Sequence, residues 1–254
     1  METISNQNPR PAHKEPVYCP EDSSIASRLG SFIFYQWCKA GFGWGVMGTI
    51  VIGILFINGE ISISTALAGW IACAYTFHEF EEFVIPGGFL EDFTKNFLKL
   101  EGIDRILDER AVFLVNIPLI WIGLPTIALL TAFVDPAWLS AAAFFSILAG
   151  IAHIVPIIKS GFRRWYNPGL AMSLLLNIPL GVAGALTSWD ITSKINNGSL
   201  FTMWVFWVTF IQWGLFVGRR YKRTRDPHYR RQWIELMGVY TVTGIAAWLF
   251  YMVV

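Results

Sequence analysis

Five consecutive residues, His78-Glu79-Phe80-Glu81-Glu82, place an imidazole and three carboxylates in an otherwise apolar stretch. On a helix, residues three and four apart share a face, so His78 can converge with Glu81 and with Glu82 on one centre. Glu79 then points about 100° away, toward another helix or the interface. One further histidine would complete a hard-to-borderline metal site suited to zinc, iron or manganese. The same groups without metal would suit general acid–base work. The plainer alternative is a buried ion-pair network that pins helices, with Arg163, Arg164 or Arg110 as the partner.

The helix carrying these residues must hold them in an apolar setting. It reads from about Ser62 to Ile85, with Ala66, Leu67, Trp70, Ile71, Tyr75 and Phe83 along it. Of the 254 residues, 54% are hydrophobic and only 15% charged, against about 25% charged in soluble domains. The chain therefore reads as an all-α polytopic membrane bundle of about seven spans of roughly 20 residues each. Ionisable groups within such spans cost about 2.5–3.5 kcal/mol each by insertion scales, and they mark functional sites by default. Hydropathy places the spans near Gly41–Ile57, Ser62–Ile85, Val112–Val134, Ala137–Ile158, Gly169–Ser188, Leu200–Val217 and Trp233–Val254. Asn58-Gly59-Glu60 and Asp135-Pro136 are the tight turns, and Pro86-Gly87-Gly88 stops the second span. The connector Phe89–Arg110, with Phe89, Phe93, Phe97 and Leu100 at helical spacing, reads as an amphipathic helix on the membrane surface or, equally, as a solvated helix packed on the protein. Residues 1–31 read as a polar tail without the apolar run of a cleaved signal, and 32–254 as one transmembrane domain. Cys19, Cys38 and Cys73 form no CxxC pair, so neither a disulfide framework nor a zinc ribbon is expected. A net charge of +1 gives no footprint for nucleic acid. P-loop, dinucleotide and GxSxG motifs are missing.

Orientation follows from lysine and arginine in the loops. Lys95, Lys99, Arg105 and Arg110, then Lys159, Arg163 and Arg164, then the run from Arg219 to Arg231 fall on one side together with the N-terminal tail. The opposite loops offer only Lys194. The N-terminus is thus expected in the cytoplasm and the C-terminus outside. That topology brings distant residues to one depth. At about 1.5 Å per residue, His78 lies roughly 10 Å, His153 roughly 8 Å and Asn177 roughly 12 Å from the cytoplasmic ends of their spans. His78, Glu81, Glu82 and His153 are the candidate catalytic or metal-ligating set. His153 is expected within about 4–8 Å of the His78–Glu82 face. Asn177 and Tyr166 would position substrate, and Arg163 and Arg164 would attract an anionic head. Gly41, Gly43, Gly45 and Gly48, with Gly181 and Gly184, suit close helix packing.

His78-Glu79-Phe80-Glu81-Glu82, followed by His153, Tyr166-Asn167-Pro168-Gly169, Asn177 and Pro179, resembles the HXXEE-domain family over about Thr76 to Gly181. These are small integral-membrane proteins, mostly bacterial and largely without assigned function. The resemblance implies a bacterial inner-membrane setting and marks His78, Glu81, Glu82 and His153 as characteristic residues, but carries no reaction. Other resemblances stop short. Glutamate-type prenyl-protein endopeptidases need an arginine four residues after the second glutamate, where this chain has Pro86. Membrane desaturases need about eight histidines, and this chain has four. Seven-span terpene cyclases share the size and the use of intramembrane acids, without a shared motif.

The leading expectation is a membrane enzyme acting on a lipid or isoprenoid near the cytoplasmic interface, by metal-assisted or acid–base chemistry. One divalent metal (zinc, iron or manganese), membrane lipids and a lipophilic substrate are its implied partners. One alternative is metal-free, proton-initiated isomerisation or cyclisation of an isoprenoid. The other is a non-enzymatic binding, transport or assembly protein with a cation or proton site.

Overall fold

The computed structural model describes residues 36–99, 112–113, 116–192 and 223–224. Helix α1 is Trp37–Ile57, α2 is Ile63–Phe83, and a short α3, Phe89–Asp92, continues as the π-turn Phe93–Phe97. A π-helical stretch, Ile117–Gly123, runs into α4, Leu124–Phe133. The 3₁₀ turn Pro136–Trp138 leads into α5, Leu139–Lys159. Helix α6, Leu170–Met172, passes through the π-turn Ser173–Asn177 into α7, Ile178–Thr192. Among the described residues there is no strand.

The boundaries follow local chemistry. Ser62 caps α2 by accepting from Thr65 N at 3.2 Å. Asp135 caps the 3₁₀ turn by accepting from Ala137 N at 2.9 Å. Helix α2 ends at Pro86-Gly87-Gly88, where both glycines take positive φ (71° and 90°) that only glycine adopts cheaply. The N–H of Gly87 closes the end by donating to Glu81 O at 3.1 Å.

Helix α2 is the central element, packed against α1, α4, α5 and α7. Its apolar face joins a core of Leu67, Ile71, Tyr75, Leu124, Leu139 and Phe145. Small residues let the helices approach, as expected in a bundle that gains little from the hydrophobic effect. Gly41, Gly45 and Gly48 lie against Thr76, Phe77 and Cys73 of α2, and Gly181 and Gly184 lie against Ala143 of α5. Gly43 belongs to no such contact, since a side chain there would meet nothing within 4 Å.

Three helices are long and apolar enough to cross a membrane: Trp37–Ile57, Pro136–Lys159 and Leu170–Trp189, with mean hydropathies of 2.0, 2.2 and 1.7. They support a membrane protein, and the exposed Ile50, Val51, Ile54 and Leu186 face outward as lipid contacts would. Helix α2 has the same length as α1, 21 residues, but its ionisable residues keep it out of that apolar set. The third expected span is represented by the shorter apolar helix Leu119–Phe133. The expected spans Leu200–Val217 and Trp233–Val254 and the tail 1–31 lie outside the described residues. So does the second half of the expected surface helix. Its first half stacks Phe89 on Phe93 and Phe93 on Phe97, with ring centroids 5.6 and 5.1 Å apart. Phe89 also meets Phe83 edge-on at 5.6 Å, so the aromatic stripe begins on the protein itself.

Candidate metal centre

The last turns of α2 bring the motif to the end of the bundle where α5 finishes and α6 begins. His78 and Glu82 stand one turn apart on one face, 2% and 7% exposed. His153, 7% exposed, enters from α5. Glu82 Oε1 lies 3.4 Å from His78 Nε2 and 3.2 Å from His153 Nε2. One ligand atom from each residue lies within 4.8 Å of those of the other two, a group that could hold a metal ion. The two imidazole rings meet edge to face at 4.7 Å. The expected convergence of His153 on the His78–Glu82 face is therefore present.

Each histidine has a partner behind it. His153 Nδ1 lies 2.8 Å from Asn167 Oδ1, while Asn167 Nδ2 donates to His153 O at 2.8 Å. This two-point clasp orients both the amide and the ring. His78 Nδ1 faces Ser173 Oγ at 3.4 Å. Gly169, at φ 94°, presses its backbone onto the group. A Cβ there would lie 2.5 Å from His153 Cε1 and 2.9 Å from both Glu82 Cγ and His78 Cε1. Gly169 is thus one wall of the site, and no larger residue fits there. Phe89 closes another side, its ring 6.1 Å from that of His153.

Glu81 is placed differently from the expected ligand set. Its Oε1 accepts from Tyr166 Oη at 2.8 Å and from Ala171 N at 3.0 Å, and its Oε2 accepts from Met172 N at 2.7 Å. The carboxylate thus satisfies N–H groups at the start of α6, where a helix presents unpaired donors and positive dipole. Spacings of three and four residues are equally compatible with a shared face. Which glutamate turned to His78 was settled by where α6 begins. Tyr166 is 41% exposed. Partial burial and donation to Glu81 raise its phenol above the ordinary range.

The expected arginine partners go elsewhere. Arg164 pairs with Asp92, tying α3 to the loop after α5, and Arg163 is exposed. Arg110 lies outside the described residues. Among the described residues, the basic groups against Glu82 are the two histidines. Asn177 is fully buried, and neither atom of its side-chain amide has a hydrogen-bond partner among the described residues. Its carbonyl accepts from Ser146 Oγ at 2.8 Å. Asn167, Gly169 and Ser173 were not among the expected site residues. The first two stand inside the Tyr166–Gly169 motif, and Ser173 lies one turn before Asn177, which were the available signals.

No curated protein and no solved structure matches the chain. The family described as "Protein of unknown function with HXXEE motif" matches residues 70–183. That segment contains every residue of the buried His–Glu–His group and of the clasp around it, and over it the resemblance to the HXXEE family is shown.

Proposed function

We propose that the chain is an integral-membrane enzyme that holds one divalent metal on His78, Glu82 and His153, and acts on a lipid or isoprenoid near the cytoplasmic interface. The supporting observation is how the lone pairs are arranged. Asn167 spends its N–H on the His153 carbonyl, so its Oδ1 is left to accept from His153 Nδ1. A neutral His153 then turns a bare Nε2 toward Glu82 Oε1, acceptor facing acceptor at 3.2 Å. A cation between them removes the conflict.

Each of the three residues offers a ligand atom within 4.8 Å of those of the other two, with Glu82 Oε1 at 3.2 and 3.4 Å from the two imidazole nitrogens. Two imidazoles and one carboxylate are the donor set of His₂Glu zinc sites and of non-haem iron facial triads, and both keep positions open to substrate. A divalent ion there would supply Lewis acidity toward a substrate oxygen.

The protein's own groups set the rest. The Asn167 clasp fixes the His153 ring, and Phe89 excludes water from one side. Asn177 offers an unpaired amide to a substrate polar group, and exposed Arg163 offers charge to an anionic head. Tyr166 acts through Glu81, holding the start of α6. Elemental analysis of the purified protein tests this reading. Near-stoichiometric zinc, iron or manganese that is lost in Glu82→Gln is the expected result. A wild-type protein that takes up none of the three on reconstitution would overturn it and leave proton chemistry.

A further inference from the structure

The metal group is shut in by buried parts of the bundle on several sides. His78 and Asn167 are almost wholly buried, Ser173 is fully so, and the Gly169 backbone leaves no room for a Cβ. One side is different. Phe89, whose ring centre lies 6.1 Å from that of His153, is only half-buried.

The stretch Phe89–Phe97 has two faces. Leu90 and Thr94, four residues apart, are both buried, and Leu90 sits in a core with Trp37, Phe83 and Val112. Phe89, Phe93 and Phe97 form the other face and are half-buried. Their rings stack in succession, with 23° and then 13° between planes. This stripe bridges two helices. Phe83 of α2 meets Phe89 edge-on. At the far end Lys159, the last residue of α5, holds its Nζ 5.7 Å from the centre of the Phe97 ring. Between these ends, the Arg164–Asp92 pair ties the stretch to the loop after α5. The stripe is thus a strap from α2 to α5, with the metal group behind its first ring.

We propose that Phe89 is the gate of the metal group, and that it admits an apolar molecule arriving along the phenylalanine stripe. The inference deepens the metal reading and rests on it for what the gate protects. Leu90 and Thr94 keep the backbone seated, so the gate opens by turning the Phe89 ring about its own side-chain bonds. With the ring in place, the group is screened from water, which strengthens the electrostatics inside. With the ring turned out, His153 and Glu82 face the approach. Three phenyl rings favour a hydrocarbon body on the way in.

Two measurements on the purified full chain in lipid nanodiscs test it. The first follows the loss of bound zinc to a chelator, either apolar 1,10-phenanthroline or charged EDTA. Phenanthroline should strip the wild type faster than EDTA. Phe89→Ala should speed that stripping about tenfold at unchanged metal stoichiometry, and Phe89→Trp should slow it. Asp92→Asn loosens the strap without touching the ring or the ligands, and guards against a misfolded Phe89 variant. It should speed stripping about two- to fivefold, the worth of a partly exposed ion pair. The second measurement needs no metal. It is the carbethoxylation of His153 by diethyl pyrocarbonate in the metal-free protein, read by mass spectrometry, and Phe89→Ala should be fastest and Phe89→Trp slowest. A wild type that takes up no zinc would remove the metal reading and leave this series to decide the gate. Equal modification of His153 in all three proteins would overturn the gate, and EDTA matching phenanthroline on the wild type would overturn the apolar approach.

Discussion

Glu81 and Glu82 are neighbours in sequence, both buried, and they live in opposite surroundings. Glu81 faces donors: one phenol and two backbone N–H groups fill its oxygens. Glu82 faces two imidazole nitrogens at 3.2 and 3.4 Å, and with Asn167 accepting at His153 Nδ1 the nearer one is open to a proton or a metal. A carboxylate already supplied with donors holds structure together. A carboxylate set between two imidazoles can share a cation with them. Residue type alone does not draw that distinction.

The sharpest way to break this contrast is at the centre. Glu82→Gln and His153→Ala should each drop metal from about one per chain to background, because three ligands are the minimum for a zinc-type site. Glu82→Gln should leave thermal stability equal or higher in the apo protein, since a buried charge is removed. A large fall in melting temperature with metal retained would show Glu82 to be a structural ion-pair partner. Glu81→Ala should do the reverse. It strands two N–H groups and a phenol, and should cost about 3 kcal/mol read by detergent-phase thermal unfolding, with metal still present in the folded fraction. Loss of metal without loss of stability would return Glu81 to the ligand set. Asn167→Ala, which frees the His153 ring, should weaken metal affinity about 10–100-fold by competition with a chelator. An unchanged affinity would mean that the clasp does not orient a ligand. The smallest effect belongs to Arg164–Asp92. This partly exposed pair should be worth about 0.2–1 kcal/mol in a double-mutant cycle, shrinking with salt. Any change in metal content there would contradict the assignment.

Much of the scaffold could be read from residues with strong local preferences. Ser62, Asp135 and the Pro86-Gly87-Gly88 stop act through their own backbone, so the ends of α2 and the entry to α5 lie where the sequence puts them. The meeting of His78 with His153 was legible because span length and loop charge fix depth, and depth is shared by all helices. Azimuth is not. The turn of Glu81 toward α6, the departure of Arg164 to Asp92 and the clasp of Asn167 on His153 depend on which helices are neighbours and how each is rotated. Those are products of tertiary packing with no local signature. Glu79 was legible only as pointing elsewhere. What it meets, Trp121 and the neighbourhood of Trp37, comes from residues about 40 positions away on either side.

The π-turn Ser173–Asn177 has a consequence for how this segment could be engineered. A π-turn holds one residue more than the α-helical turn it replaces. Removing Leu175 should let the segment relax to an ordinary helix, fully hydrogen-bonded, with its two halves keeping their relative orientation. Gly181 and Gly184 would keep α7 seated on α5, and Ser173, Ala171 and Met172 would stay beside His78 and Glu81. A single-residue deletion would thus be absorbed at the π-turn, whereas the same deletion in an uninterrupted helix would turn its halves by about 100°.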